Sequence, residues 1–397
     1  MSELSTQLIH HPYRAPDGFV SVPPGVYKAS TVIFPNVHAL RTQEWIDKSG
    51  YTYGLHGTPT TFTLEERIAS AEGGSHCVLA PSGLSAISLV DMAFLRQGDE
   101  LLLPDNAYGP NKSFARSELK SWGISHSFYN AQDPQDLASK ITERTRLVWL
   151  EAAGSITLEF PDLPALVAVV KAANAQRGEG GRAIVTALDN TWGAGVAFNA
   201  FELGVDVSMQ ALTKYPSGGA DVLMGSVVTR DEQLHRQVLL THMRLGLGVS
   251  GNDAELVLRG LNSMVLRYHA QDASTRALAT WMSKQQGVAR VLHPALPDSP
   301  GHDHWRRDAR AAACLFSVAF DPRFEMARID AFCDQLKCFK LGWSWAGPVS
   351  LCAPYDVASI RQGDWPYADG LVRFAVGLEA QADLQADLAQ ALAVLNN

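Results

Sequence analysis

Between Thr63 and about Thr229, short apolar runs take turns with amphipathic stretches. The runs His76 to Ala80, Glu100 to Leu103, Arg146 to Leu150, Ala183 to Leu188, Asp206 to Leu212 and Val222 to Val228 are rich in β-branched or aliphatic residues, as buried strands are. Most are separated by helical patterns. One of these covers Leu84 to Leu95, and another starts near a Thr63/Glu66 capping box and ends at Gly73-Gly74. Strands and helices in alternation predict an α/β fold with a mainly parallel sheet covered by helices.

The two flanks break this pattern. Residues 1–60 carry Pro12, Pro16, Pro23, Pro24, Pro35 and Pro59 and read as an irregular N-terminal arm that packs on another surface, such as a second subunit. After about Asp253 the pattern becomes a helical stretch, then mixed short strands, then a last helix with Leu384, Leu388 and Leu395 on one side. A chain of 397 residues exceeds what one core sustains. The expected division is an arm over 1–60, a large domain over 61–253 and a smaller α+β domain over 254–397.

Charge and cysteine content narrow the class. With 33 basic against 41 acidic residues, a net charge of -8 and no run of five like charges, nucleic acid and anionic membranes are poor partners. No stretch approaches the roughly 20 apolar residues of a membrane span, and the N-terminus lacks the charged start and apolar core of an export signal. None of the five cysteines forms a C-x-x-C pair, so neither a disulfide framework nor a zinc site is expected, and a soluble cytoplasmic protein fits.

Candidate chemistry gathers after the strands. Lys214, in Ala211-Leu212-Thr213-Lys214-Tyr215, follows an apolar run, which puts its amine at the carboxyl end of a strand, where open α/β sheets bind ligands. Alone it reads as a surface charge. Asp189 closes another run; a carboxylate there either holds a pyridinium nitrogen protonated or makes an Asx turn. Ser82-Gly83-Leu84-Ser85 spans a strand-to-helix junction whose free N–H groups suit a phosphate, although such a glycine also serves turn geometry alone. The Thr213 hydroxyl can add a donor. Tyr108 stands in a loop after a strand and can stack on a planar ring, or be an ordinary loop tyrosine. Arg373, inside the apolar run Leu371 to Phe374, wants an anion; a substrate carboxylate and an internal acid are both open, and Ser344-Trp345 lies in a Gly/Ser/Trp-rich segment.

Taken in order, Tyr53-Gly54, Glu72-Gly73-Gly74, Gly154-Ser155-Ile156-Thr157, Asp189-Asn190-Thr191-Trp192, Thr213-Lys214-Tyr215, Arg259-Gly260-Leu261, His293 to Pro297, Ser344-Trp345 and Gly377-Leu378-Glu379 resemble the motifs of the pyridoxal 5'-phosphate (PLP) dependent transsulfuration enzymes of fold type I. The likeness runs from about Tyr53 to Glu379, and Gly154 to Thr157 with Ser344-Trp345 favours the β-lyase branch. It implies that Lys214 carries PLP as a Schiff base and relays the proton, Asp189 pairs with the ring nitrogen, and Tyr108 stacks on the ring. Ser82, Gly83, Leu84 and Thr213 would hold the phosphate. Arg373, with Ser344, Trp345 and Ser155, would bind the substrate. Tyr53 would reach the active site of a neighbouring subunit in a dimer, two of which make a homotetramer. The activity implied is α,β-elimination at a carbon–sulfur bond, cystathionine giving homocysteine, pyruvate and ammonia, with Lys214 and Tyr108 both expected at depressed pKa. A γ-lyase or broad cysteine-conjugate lyase is the near alternative, and a non-catalytic PLP-fold protein the remote one. In one place the chain departs from the family: Leu55 stands where relatives have a phosphate-binding arginine, which leaves His56 or another cation to compensate.

Overall fold

In the computed structural model, which describes residues 3–13, 17–19, 21–178, 181–361, 367 and 370–396, the alternation closes into one seven-stranded sheet. Its strands are β1 (His76–Ala80), β2 (Glu100–Pro104), β3 (Ser125–Tyr129), β4 (Thr145–Glu151), β5 (Val185–Asp189), β6 (Val207–Ala211) and β7 (Gly225–Thr229), in the order β1-β7-β6-β5-β4-β2-β3. Strands β2 to β6 are parallel, while β7 runs against both β6 and β1, so β1 points the same way as the parallel set. Successive side chains enter opposite cores. Val148 and Leu150 of β4 join the cluster around Leu102 and Leu188, whereas Leu147 and Trp149 join the one around Leu101, Leu103 and Met209. That two-sided burial is why these strands were visible as unbroken apolar runs.

Two local readings need correction. Strand β3 carries no apolar run; as an edge strand bonded only to β2 it is mostly half-buried, and Ser125-His126-Ser127-Phe128 suffices there. The helix before β1 is Pro59–Glu72, and its capping box is Thr58/Thr61 rather than Thr63/Glu66. Pro59 opens the helix because the first turn has no use for the missing N–H. Gly73 ends it in the left-handed region at φ 72°.

The second sheet is built from β8 (Val288–Leu292), β9 (Leu315–Phe320), β10 (Lys340–Leu341), β11 (Leu351–Asp356) and β12 (Gly370–Ala375), ordered β10-β11-β12-β9-β8. Its core joins Phe316, Phe332 and Phe374 to Leu384, Leu388 and Leu395 of the last helix, Gln381–Asn396. A 32-residue helix, Gly251–Met282, connects the two bodies: Val257 and Leu261 belong to a core of the large sheet, Leu278 and Met282 to that of the small one. The 253/254 boundary falls in its first turn.

Part of the N-terminal arm packs on its own chain. Helix Leu4–Ile9 buries Leu8 against the helices Pro59–Glu72 and Gly251–Met282. Further along, Phe19, Val22, Ile33, Val37, Leu40 and Tyr53 are exposed. Among the described residues no helix is long and apolar enough to cross a membrane.

Candidate active site

Because β1, β2, β4, β5 and β6 share a direction, the residues that follow them collect along one edge of the sheet: Ser82 after β1, Tyr108 after β2, Glu151 at the end of β4, Asp189 at the end of β5 and Lys214 after β6. That edge is where an open α/β sheet binds ligands. The small domain adds Ser344, Trp345 and Arg373.

Lys214 sits in a tight turn in which its N–H donates to the Ala211 carbonyl and its own carbonyl accepts from Gly218. Its Nζ donates to Ser344 Oγ at 2.5 Å and lies 5.4 Å from the centre of the Trp345 ring. Burial, reinforced by the Arg373 charge, lowers the amine to about 8, against the opposing pull of Cys314 and Asp189. Lys214 is therefore no surface charge.

Asp189 is 8 % exposed. Its Oδ1 accepts from the Thr191 N–H at 3.0 Å and from the Thr191 hydroxyl, so the Asx turn exists, but among the described residues nothing donates to Oδ2. Burial raises its pKa, which the Thr191 bonds and the Lys214 charge restrain. Glu72 lies close by, fully buried and raised by burial, accepting from Ser208, Gln210 and Asn190.

Ser82 caps the helix Gly83–Phe94 by accepting from Ser85 N–H at 3.0 Å, which leaves the Gly83 and Leu84 N–H groups without intrahelical acceptors. A Cβ at Gly83 would come within 2.7 Å of Ala211 Cβ, so only glycine lets this helix start meet the end of β6. Thr213 is less available than its position suggested, since its hydroxyl already accepts from Met224 N–H at 3.1 Å and lies 3.3 Å from the Met224 carbonyl.

Tyr108 donates its N–H to Glu151 Oε2 at 2.8 Å, and the residue stays 41 % exposed. The expected depression of its pKa is not found. Burial raises it, Asp189 and Glu151 raise it further, and Arg373 opposes them only in part, so the phenol keeps its proton at neutral pH. Glu151, which shapes that field, was missed; its place at the end of an apolar run was the available signal.

Arg373, on β12, is 7 % exposed, and no carboxylate pairs with it among the described residues. Its guanidinium lies over the Tyr355 ring at 5.5 Å, a contact the sequence did not signal because Tyr355 is brought in by β11 pairing, diagonal to Arg373 in the register. Ser155 belongs to the loop after β4 and donates its N–H to the Asn106 carbonyl at 3.0 Å. Tyr53 remains apart: it is 48 % exposed, bridges to Thr31 and touches His56, with no contact to Lys214 among the described residues. Leu55 lies in the turn Gly54–His56. His56 stacks on Trp45 at 4.0 Å, its Nδ1 meets Thr52 Oγ1, and burial lowers its pKa.

These observations fit pyridoxal phosphate. A buried amine near 8 suits condensation with an aldehyde, a carboxylate oxygen without a donor suits a pyridinium N–H, and a Cβ-free helix start suits a phosphate. Fold and site together place the chain among the PLP-dependent α/β enzymes. It belongs to the Cys/Met metabolism PLP-dependent enzyme family, whose pattern matches residues 5–393. The cystathionine beta-lyase of Bordetella avium is 37% identical over 388 residues, covering 96% of this chain and 94% of that protein. The cystathionine beta-lyase MetC of Escherichia coli (strain K12) is 34% identical over 394 residues, covering 97% of each. Among solved structures, cystathionine gamma synthase from Xanthomonas oryzae pv. oryzae, in complex with aminoacrylate and cysteine, superposes with a TM-score of 0.89 at 27% identity, covering 100% of this chain and 99% of that one.

Proposed function

We propose that the chain is a carbon–sulfur lyase that β-eliminates L-cystathionine to homocysteine, pyruvate and ammonia. The observation that carries this reading is the buried Arg373, with no carboxylate partner among the described residues, facing the same site as the amine of Lys214. It is supported by the near-complete coverage of curated relatives that bear the β-lyase name. Bound at this site, PLP supplies the electron sink that makes loss of the Cα proton feasible.

The protein's own groups do the rest. Arg373 takes the substrate carboxylate through its planar fork, and the Tyr355 ring under it limits its rotamers. Lys214, part of it neutral near pH 8, removes the Cα proton, and Ser344 Oγ and Trp345 hold the amine in place. When the Cβ–S bond breaks, the departing thiolate takes a proton. Tyr108, kept as a phenol by burial and then by Asp189 and Glu151, can donate it, as can the Lys214 ammonium formed in the first step. Asp189 Oδ2 serves the ring nitrogen, and Ser82, Gly83, Leu84 and Thr213 serve the phosphate. Ser155 flanks the substrate.

The apolar side chains left exposed along the arm suggest that it covers a second copy of the chain, with Tyr53 completing that copy's site in a dimer or a tetramer of two dimers. A cytoplasmic site of action completes this reading. Leu55 would then face the partner's phosphate without donating to it. Leu55→Arg restores one charge-assisted contact worth about 1.5–3 kcal/mol, so the apparent Kd for PLP, measured by titrating apoprotein, falls roughly 10- to 100-fold. An unchanged Kd removes the arm from the phosphate site.

Product analysis tests the reaction itself. Purified holoenzyme with L-cystathionine is expected to release pyruvate and free thiol in equal amounts. Release of 2-oxobutyrate instead would identify a γ-lyase, and release of neither, by a protein that PLP cannot colour, would favour the non-catalytic alternative.

A further inference from the structure

Beside the site the two domains meet through a cluster of buried charges that the reaction proposed above leaves unused. Arg361 lies just past the short helix Val357–Ile360 that follows β11. Its Nε donates to Asp105 Oδ2 at 3.1 Å and its Nη1 to Glu159 Oε1, with Thr157 Oγ1 at 3.4 Å. The three charged side chains are 14 %, 11 % and 7 % exposed. Lys112 answers from the other side, its Nζ donating to the carbonyls of Asp105 at 2.7 Å and Ile360 at 2.6 Å. A small-domain guanidinium thus grips two large-domain carboxylates, and a large-domain ammonium bridges backbone from both domains. Burial alone would raise Glu159, yet the charge of Arg361 and bonds from Thr157 and Asn106 hold it below the usual carboxylate range.

What hangs from this cluster is the working part of the site. Asp105 begins the turn that presents Tyr108. Asn106 Nδ2 donates to Glu159 Oε2 at 3.0 Å, and the Asn106 carbonyl holds the Ser155 N–H. On the small-domain side, Ser317 pairs with Arg373 in the β9–β12 register and donates its Oγ to the Ile156 carbonyl at 2.6 Å. The Tyr108 turn, the Ser155 loop and the strand carrying Arg373 are therefore linked through the same few atoms.

We propose that Arg361, clamped by Asp105 and Glu159, is a positioning residue that sets the placement of Tyr108 relative to Arg373 across the domain boundary, and through it the turnover of the amino-acid substrate. The proposal rests on the roles given above to Tyr108 and Arg373. Arginine suits the task because its planar fork reaches carboxylates in two directions, which a lysine point charge does not. A displacement of about 1 Å at this junction is enough to lower the rate roughly 10- to 100-fold.

The test uses holoenzyme carrying Arg361→Met, Arg361→Lys, or the charge-free triple change Arg361→Met, Asp105→Asn, Glu159→Gln. Both single variants are expected to keep the parent's cofactor absorbance, since Lys214, Asp189 and Gly83 are untouched, while kcat/KM falls about 10- to 100-fold. The triple variant leaves no carboxylate of the cluster unpaired, with Lys112 still held by the Asp105 and Ile360 carbonyls, so it regains much of the thermal midpoint lost by Arg361→Met, but its kcat/KM stays low. A single variant within twofold of wild type overturns the latch, as does a triple variant that restores rate together with stability. Exchange of the L-alanine Cα proton in D2O, followed by NMR, is read alongside. It needs Lys214 and Arg373 but no leaving group, so the variant-to-wild-type ratio tests the Arg373 side of the latch even if wild type releases no pyruvate from cystathionine, an outcome that sinks the lyase reading alone.

Discussion

A Lys214→Ala protein will lose the long-wavelength absorbance of bound cofactor and, with it, turnover by something on the order of 10⁴-fold, because one amine serves as both attachment point and proton relay. The fold should survive the change. The amine's partners, Ser344 Oγ and the Trp345 ring, belong to the other domain, and the truncation leaves both in place. The pH dependence of apoprotein stability separates a buried amine from an exposed one. Folding lowers the Lys214 pKa from 10.5 to about 8, so the unfolded chain binds that proton more tightly than the folded one. Stability contributed by this group therefore rises as pH climbs from about 8 to 10.5 and is absent below that window. Thermal melts of wild-type apoprotein should show the rise and those of Lys214→Ala should not. Retained turnover in the alanine variant would refute the assignment of the lysine.

Arg373→Leu carries the second large effect, and it acts in opposite directions on activity and stability. Two parallel charge-assisted bonds to a carboxylate are worth about 3 kcal/mol together at the lower end, so kcat/KM should drop at least about 100-fold, mostly through KM. Stability should hold or improve, since the guanidinium is 7 % exposed and no acid offsets its desolvation among the described residues. Arg373→Lys keeps the charge but not the fork and is expected to fall between the two. Steady-state kinetics and a melting curve on the same preparations decide the matter; an Arg373→Leu enzyme with wild-type KM would move the carboxylate site elsewhere.

The parts of the site that could be read from the chain share a property: their evidence lies within a few residues. Lys214, Asp189 and Gly83 each follow an apolar run whose residues are buried on both faces of the sheet, so the end of the run marks the edge where ligands bind. Thr58 and Pro59 show the limit of that reading. A better capping pair five residues before Thr63 defined the helix start, and the proline taken as a break was its first residue. Strand β3 escaped because an edge strand needs no apolar run.

By itself, then, the sequence determined the α/β class, the parallel strands and the PLP-dependent family, because strand burial and motif order are carried along the chain, and it offered a lysine, a carboxylate and a phosphate turn as the candidate site. Only the tertiary structure decided what those groups are worth. The fall of the Lys214 amine to about 8 comes from burial and from an arginine 159 residues away, Arg373. The opposite shift of Tyr108 comes from burial with Asp189 and Glu151, and the latch joins Asp105 to Arg361, 256 positions apart. Such interactions depend on distance through a low-dielectric interior rather than on spacing along the chain, so no local pattern announces them.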